Sequence, residues 1–423
     1  MAKGGALFIN KKKVFLLSAP IILVVYWWAS SAPPDDFIIG PAYQLGKIPE
    51  KILAVSTNAD LIADSLVNDR YEFHGYDDMA FQASTGLTFI SGMNGAIWKV
   101  DEIAHTADKI AEVPLTPSGI QFDPIDDSRL FFCASRMGGE DYPADEKVGL
   151  YVLDLDSRIV EPVLLRLPNT RPTSPETTFE PDQRPTMLVA DMDDQNSRAF
   201  SLCNDLAISR DGQRIYMSEP VPLARAAMGS GAVLEAIGLA PIGKLWLYDR
   251  QNRGVSLIVD NFTFVDGLVL SQEEKIEQAI IFTETTKFRV LRTHLAGSKA
   301  GQTEILWDNL PGMPDGLDRD SDGNIWIGLI KKRSGIVGWI HANPWIKPFL
   351  VRLPQEWLPV SGETGLLALS PDGNLPLYFL MHDGTRLSDI SVISPNRGKL
   401  YLPVFNQRSA GIFYIDNPLN TKQ

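Results

Sequence analysis

The sequence predicts an all-β protein, a six-bladed β-propeller, and three observations carry that expectation. One grammar recurs along the chain: an apolar strand, a turn containing Asp, Gly or Asn, and a second, longer apolar strand. It appears in "MAFQASTGLTFISGMNGAIWKVD", "IQFDPIDDSRLFFCAS", "DLAISRDGQRIYMSEP", "GLVLSQEEKIEQAIIFTETTKFRVLRTHL", "GLDRDSDGNIWIGL" and "ISVISPNRGKLYLPVFNQRSAGIFYID", which makes six units. Most units close with an alternating strand such as "GLYVLDLD", "GKLWLYDR" or "FRVLRTHL". Three or four antiparallel strands per unit, at a period of about forty to eighty residues, describe propeller blades. A β-sandwich lacks such a repeat, and a solenoid has a tighter, more constant one.

The N-terminus is a separate element. "NKKKVFLLSAPIILVVYWWASSAPPDD" places three lysines before an uncharged apolar run from Val14 to Ala32 that ends near two tryptophans suited to a membrane interface. The run is close to the lower limit of the roughly twenty residues a spanning helix needs, and Pro20 kinks such a helix without abolishing it. The chain therefore divides into a cytoplasmic tail and transmembrane anchor (1–34), a linker leading into the propeller (35–70) and the propeller itself (71–423). Lysines before the span and aspartates after it predict a single-pass membrane protein with the propeller on the non-cytoplasmic side, in a periplasm, a lumen or the extracellular space. A cleaved signal peptide is the rival, since Ser30 and Ala32 are small residues at cleavage spacing.

Further along, residues 167 to 200 are rich in Pro, Thr and acidic side chains and read as a long surface loop between blades two and three. Residues 221 to 240 predict a short helical insertion in blade three, a candidate lid over one mouth of the channel. Asp318, Asp320 and Asp322 with Gly323 spell the start of an EF-hand loop. The twelfth position, which needs a bidentate Glu, is Leu329, and Asp322-Gly323 is the favoured dipeptide of a tight hairpin, so these aspartates decorate a turn. Hydrophobic residues at 44% allow one sizeable core, and a formal net charge of −13 argues against a nucleic-acid surface. Cys133 and Cys203 flank apolar strand residues, match no zinc spacing and read as buried free thiols.

The stretches "NDLAISRDGQRIYMSEP", "GKLWLYD", "FVDGLVLS", "FTETTKFRVLRTHLAGSKAG" and "DNLPGMPDGLDRDSDGNIWIGL" resemble the strictosidine synthase-like group. The pattern is most similar to its adipocyte plasma membrane-associated branch, within the wider SMP-30/gluconolactonase/paraoxonase superfamily. The resemblance runs from Gly75 to Ile415 and implies a six-bladed propeller, in many members with a divalent cation in the central channel and activity on lactones or esters. The membrane-associated branch also shares a single N-terminal anchor.

The repeat itself gives such a cation a place. Inner strands of successive blades converge on one axis, so a polar residue at the head of each can reach a common point. The junctions "GYDDMAF", "CNDLAIS", "FVDGLVLS" and "MPDGLDRD" put Asp77, Asn204, Asp266 and Asp315 in register. Three carboxylates and an amide oxygen are a hard donor set suited to Ca2+ first, with Mg2+ or Mn2+ as alternatives. The resemblance implies the same ligands, with the first usually Glu where this chain has Asp. It also implies a catalytic acid in "RLSDISVISPNRGKLYLP": Asp389 falls where strictosidine synthase carries a glutamate, and Pro403 replaces a usual Gly, so alkaloid condensation is not expected. His74, beside "GYDD", is the histidine nearest a channel residue. The expected function is a membrane-anchored, metal-dependent hydrolase of small lactone or aryl-ester substrates. The alternative is a non-catalytic propeller that binds a small ligand or protein partner around a structural metal. No G-x-S-x-G elbow is present, which argues against a serine hydrolase.

Overall fold

A computed structural model describes residues 24–420 except 29, 58–59, 171–174, 274–275, 359 and 407–409. Six antiparallel sheets form the blades. Blade 1 comprises Tyr76–Phe81, Thr88–Gly92, Ala96–Asp101 and Thr106–Glu112; blade 2 comprises Thr116–Phe122, Arg129–Ser135, Gly149–Asp154 and Ile159–Leu164. Blade 3 is built from Leu206–Ile208, Arg214–Glu219, Gly243–Asp249 and Gly254–Phe262, and blade 4 from Val265–Glu273, Ile276–Glu284, Arg289–His294 and Thr303–Trp307. Blade 5 consists of Gly312–Arg319, Ile325–Lys332, Thr364–Leu369 and Pro376–His382. Blade 6 takes Ser394–Asn396, Lys399–Tyr401 and Ala410–Asp416 from the C-terminal part, and its outermost strand is Val67–His74 from the N-terminal part. That pairing, Val67 opposite Tyr414, closes the ring.

Burial follows from this radial arrangement. Middle strands are covered by a neighbouring blade on each face and are mostly apolar, as in Thr88–Gly92 and Thr364–Leu369, where every residue is buried. Outer strands such as Thr106–Glu112 are solvated along much of their length. The turn at Asp320 bears out the hairpin reading for Asp320 and Asp322: the Asp320 carboxylate accepts the amides of Asp322 and Asn324 and the indole N–H of Trp326, and Gly323 takes φ +81°. Asp318, in contrast, is not in the turn but in the inner strand of blade 5, opposite Trp326.

The stretch from 167 to 200 is not structureless: Arg166–Pro168 pairs with Ser197–Ala199, and Thr177–Thr178 and Thr186–Leu188 add to the outer edge of blade 3. Within blade 3, the link between the second and third strands carries a 3-10 turn, Gly229–Ala232, and a six-residue α-helix, Val233–Gly238. Most of the expected span from Val14 to Ala32 lies outside the described residues; among those described, no helix is long and apolar enough to cross a membrane. Finally, Cys133 and Cys203 are not free thiols but a disulfide. Cys133 lies in the second strand of blade 2 and Cys203 just before the inner strand of blade 3, and the packing of the two blades brings their Cα atoms to 5.1 Å across 70 residues of sequence.

Candidate functional site

Each inner strand starts at the same end of the propeller, and the residues at their heads line one cavity of about 660 Å3. Asp77, Asn204, Asp266 and Asp315 are all on its wall, so the register read from the sequence does bring these four side chains together. Asn204 Nδ2 donates to Asp266 Oδ1, Thr285 Oγ1 donates to Asp266 Oδ2 at 2.9 Å, and the carboxyl groups of Asp266 and Asp315 share a hydrogen bond. Asp266 is 4% exposed; the surface that Asp77 and Asp315 retain belongs to the cavity, since both lie deep within the protein.

Burial holds the carboxyl of Asp77 well above the usual range, and the charges of Asp78 and Asp266 add to it. Asp315 is raised well above its ordinary value by burial first, then by Asp266, with Asp77 and Asp205 contributing. Burial also raises Asp266, against the hydrogen bonds it makes with Asp315 and Thr285. Among the described lining residues the one basic side chain is Lys331, and its ammonium is paired with Asp389. The cluster is thus acidic without a neutralising protein cation.

In donor chemistry these residues fit a hard divalent ion: every oxygen is of carboxylate or amide type, and rotating the Asn204 amide by 180° turns its oxygen toward the cluster. As they stand, no three His, Cys, Asp or Glu side chains among the described residues are spaced to hold a metal. Asp266 and Asp315 share a hydrogen bond, and burial raises both carboxyls above the ordinary range.

Asp389 is on the same wall. It adopts φ +62°, its Oδ2 accepts from Ser388 Oγ at 2.6 Å and Asn406 Nδ2 at 3.3 Å, and Lys331 pairs with Oδ1. His74 ends the outer strand of blade 6, its backbone opposite Ala410; its side chain lies outside the described residues. Met137, Met228, Val233, Ala236, Phe264 and Phe405 add apolar surface to the same cavity, part of it from the blade 3 helix.

Several members of the site were not read from the sequence. Lys331 is the last residue but one of the second strand of blade 5, and Thr285 follows the second strand of blade 4, so neither shares the head-of-strand register. Asp78 and Asp205 do: they are the second residues of the "DD" and "ND" pairs. Each sends its carboxylate to the next blade, Asp78 Oδ2 to the amide of Ile120 at 3.0 Å and Asp205 Oδ2 to the amide of Leu268 at 2.8 Å.

A six-bladed propeller with an acidic cluster at the head of its channel defines the class. Residues 140–339 match the family model described as SMP-30/Gluconolactonase/LRE-like region. The human adipocyte plasma membrane-associated protein is 29% identical over 213 residues, 49% of this chain and 50% of that protein. Hemomucin of Drosophila melanogaster is 40% identical over 139 residues, 32% of this chain and 22% of that one, and the strictosidine synthase-like protein 10 of Arabidopsis thaliana is 26% identical over 210 residues, 48% and 54%. The chain spans about half the length of the curated relatives it matches. Among solved structures, a gluconolactonase of Xanthomonas campestris superposes with a TM-score of 0.52 at 14% identity, covering 89% of this chain and 98% of that one, a likeness of fold. The resemblance read from the motifs is thereby shown: over about half its length this chain is similar to the adipocyte plasma membrane-associated and strictosidine synthase-like proteins.

Proposed function

We propose that the protein is a divalent-cation-dependent hydrolase of lactones or aryl esters, Ca2+ being the first candidate ion, held to a membrane by its N-terminal apolar segment with the propeller outside the cytoplasm. One observation carries the catalytic part: three buried carboxyls and an amide converge on the wall of a cavity whose single described basic side chain is already paired. A cation bound by Asp77, Asn204, Asp266 and Asp315 would supply Lewis-acid polarisation of a carbonyl. The chain's own residues do the rest. The apolar surface takes the hydrocarbon part of the substrate and excludes bulk water. Asp389, fixed by Ser388, Asn406 and Lys331, is the cavity carboxylate placed to accept a proton from an attacking water and return it to the departing alkoxide. The disulfide supports the non-cytoplasmic assignment, because such bonds persist in oxidising compartments.

The test is metal analysis of the purified full chain followed by a lactone and aryl-ester panel with and without chelator. Turnover that is lost on chelation and restored by Ca2+ is the expected result. A metal-loaded protein inert toward the whole panel puts the ligand-binding propeller in front.

A further inference from the structure

Blade 5 interrupts its sheet between Ile325–Lys332 and Thr364–Leu369 with a helical excursion: an α-helix Gly335–Ala342, a 3-10 turn Pro344–Ile346, a helical turn Lys347–Leu350 and a second 3-10 turn Gln355–Trp357. Its outer surface is aromatic and aliphatic. Ile336 is 51% exposed, Trp339 49%, Trp345 62%, Phe349 48% and Trp357 72%, against a protein in which the largest buried side chains include Trp246 and Trp326. Leaving that much indole in water is unfavourable unless something covers it.

The chain's own N-terminal part points to the cover. Residues 24–28 form a helical turn whose Val24, Val25 and Tyr26 are exposed, and Trp28 packs on Phe349 with ring centroids 4.8 Å apart. The Arg352 guanidinium lies 3.7 Å over the Trp28 ring and donates through Nε to the Trp28 carbonyl at 3.2 Å. Immediately before this turn the sequence runs uncharged and apolar from Val14 to Leu23. The described N-terminal turn therefore meets the propeller on the blade 5 excursion, at Phe349 and Arg352.

We infer that the blade 5 excursion is a second membrane-contact site: Ile336, Trp339, Trp345, Phe349 and Trp357 seat in the interfacial region of a lipid bilayer beside the N-terminal anchor. Trp is favoured there because its ring is apolar and its N–H still reaches a polar partner. This rests on the anchoring reading above and adds an orientation to it. The excursion joins a second to a third blade strand, at the end of the propeller where Ile330 and Lys331 line the cavity. A strap of the N-terminal segment ties it to the helix of blade 3: Gly40 N donates to Gly238 O and Tyr43 N to His341 O, both at 2.9 Å, and the buried Lys347 Nζ reaches Gly238 O at 3.0 Å. A bilayer on the excursion thus faces the cavity's mouth, so lipophilic substrates reach the site from the lipid phase.

The test uses the full chain in vesicles of phosphatidylcholine and phosphatidylglycerol. Both cysteines of the chain are in the disulfide, so Trp345→Cys, Trp357→Cys and Ile103→Cys can each be labelled alone with an environment-sensitive fluorophore. Ile103 is 89% exposed in the turn between the third and fourth strands of blade 1, which is the opposite end of the propeller from any second-to-third connection. The labels at 345 and 357 should shift to the blue, lose most of their emission to doxyl-labelled lipid and resist iodide; the label at 103 should do the reverse. If vesicles float the chain but iodide reaches 345 and 357 as freely as 103, the contact site is overturned while the anchor stands. Labels that resist both quenchers mean a second copy of the chain covers the patch, which also overturns it. A chain that does not float with the vesicles removes the anchoring reading and this inference together.

Discussion

The carboxylate of Asp205, at the head of blade 3, accepts the amide proton of Leu268 in blade 4 at 2.8 Å, and Asp78 does the same for Ile120 between blades 1 and 2. Gln121 extends the pattern from blade 2 to blade 3 through the amide of Ile208 at 2.8 Å. These bonds fasten neighbouring blades around the channel, beside backbone bonds such as Gly119 N to Asn204 O at 2.9 Å and Gly316 N to Ser391 O at 2.8 Å.

Removing one of them leaves a buried amide unpaired. Asp205→Ala should therefore lower the unfolding free energy by about 1–3 kcal/mol. Asp205→Asn keeps the acceptor and relieves the repulsion from Asp78 and Asp266, so it should cost less or stabilise. Urea denaturation of the two variants checks the ordering.

The blades were legible because each repeats a pattern that packing requires, and Asp77, Asn204, Asp266 and Asp315 were legible because the repeat puts them in one register. What escaped has no periodic signature. Cys133 and Cys203 meet through blade packing across 70 residues. The excursion "GIVGWIHANPWIKPFL" is poor in helix formers and broken by Gly and Pro; its one local signal is Ser334, whose hydroxyl caps the helix by accepting the amide of Val337 at 3.3 Å. Lys331 stands in the basic stretch "IKKRSG", which carries no register with the inner strands, and only the fold turns it toward Asp389.

Occupancy of the acidic cluster should reverse the effect of one substitution. In chelator, Asp315→Asn removes a carboxyl that burial and Asp266 make costly, and the variant should melt above wild type. With Ca2+ in excess the order should invert, because only the intact set gains binding energy, about 2.7 kcal/mol at a hundred times the dissociation constant. Melting curves in both conditions decide this; no crossing removes the ligand assignment.

Asp389→Asn should retain the bound ion and lower kcat by about 10²–10⁴ if the carboxylate transfers the proton, with KM little changed. Ion content measured beside the kinetics separates this from a lost cation. A variant with wild-type kcat removes Asp389 from the chemistry and leaves its contacts with Lys331, Ser388 and Asn406 as structural.

Asp318 gives the pH dependence its sign. It lines a second cavity at the other end of the channel, and its carboxyl is raised from 3.8 to about 7, chiefly by burial and with a contribution from Asp78, against the pull of the amide and guanidinium of Arg319. The unfolded carboxyl releases its proton near 3.8 and the folded one near 7, so between these values the folded protein holds more protons. Asp318 therefore stabilises most below pH 4, and this contribution is lost as pH rises toward 7 and is gone above it. Asp318→Asn keeps the acceptor for the Arg319 amide, a 2.6 Å bond in the native protein, and cannot ionise. The variant should match wild type near pH 4 and exceed it at pH 8 by up to about 4 kcal/mol, the free-energy equivalent of the shift. Denaturant midpoints from pH 4 to 8 measure the difference; a gap that does not widen with pH would show that Asp318 is already ionised in the folded state.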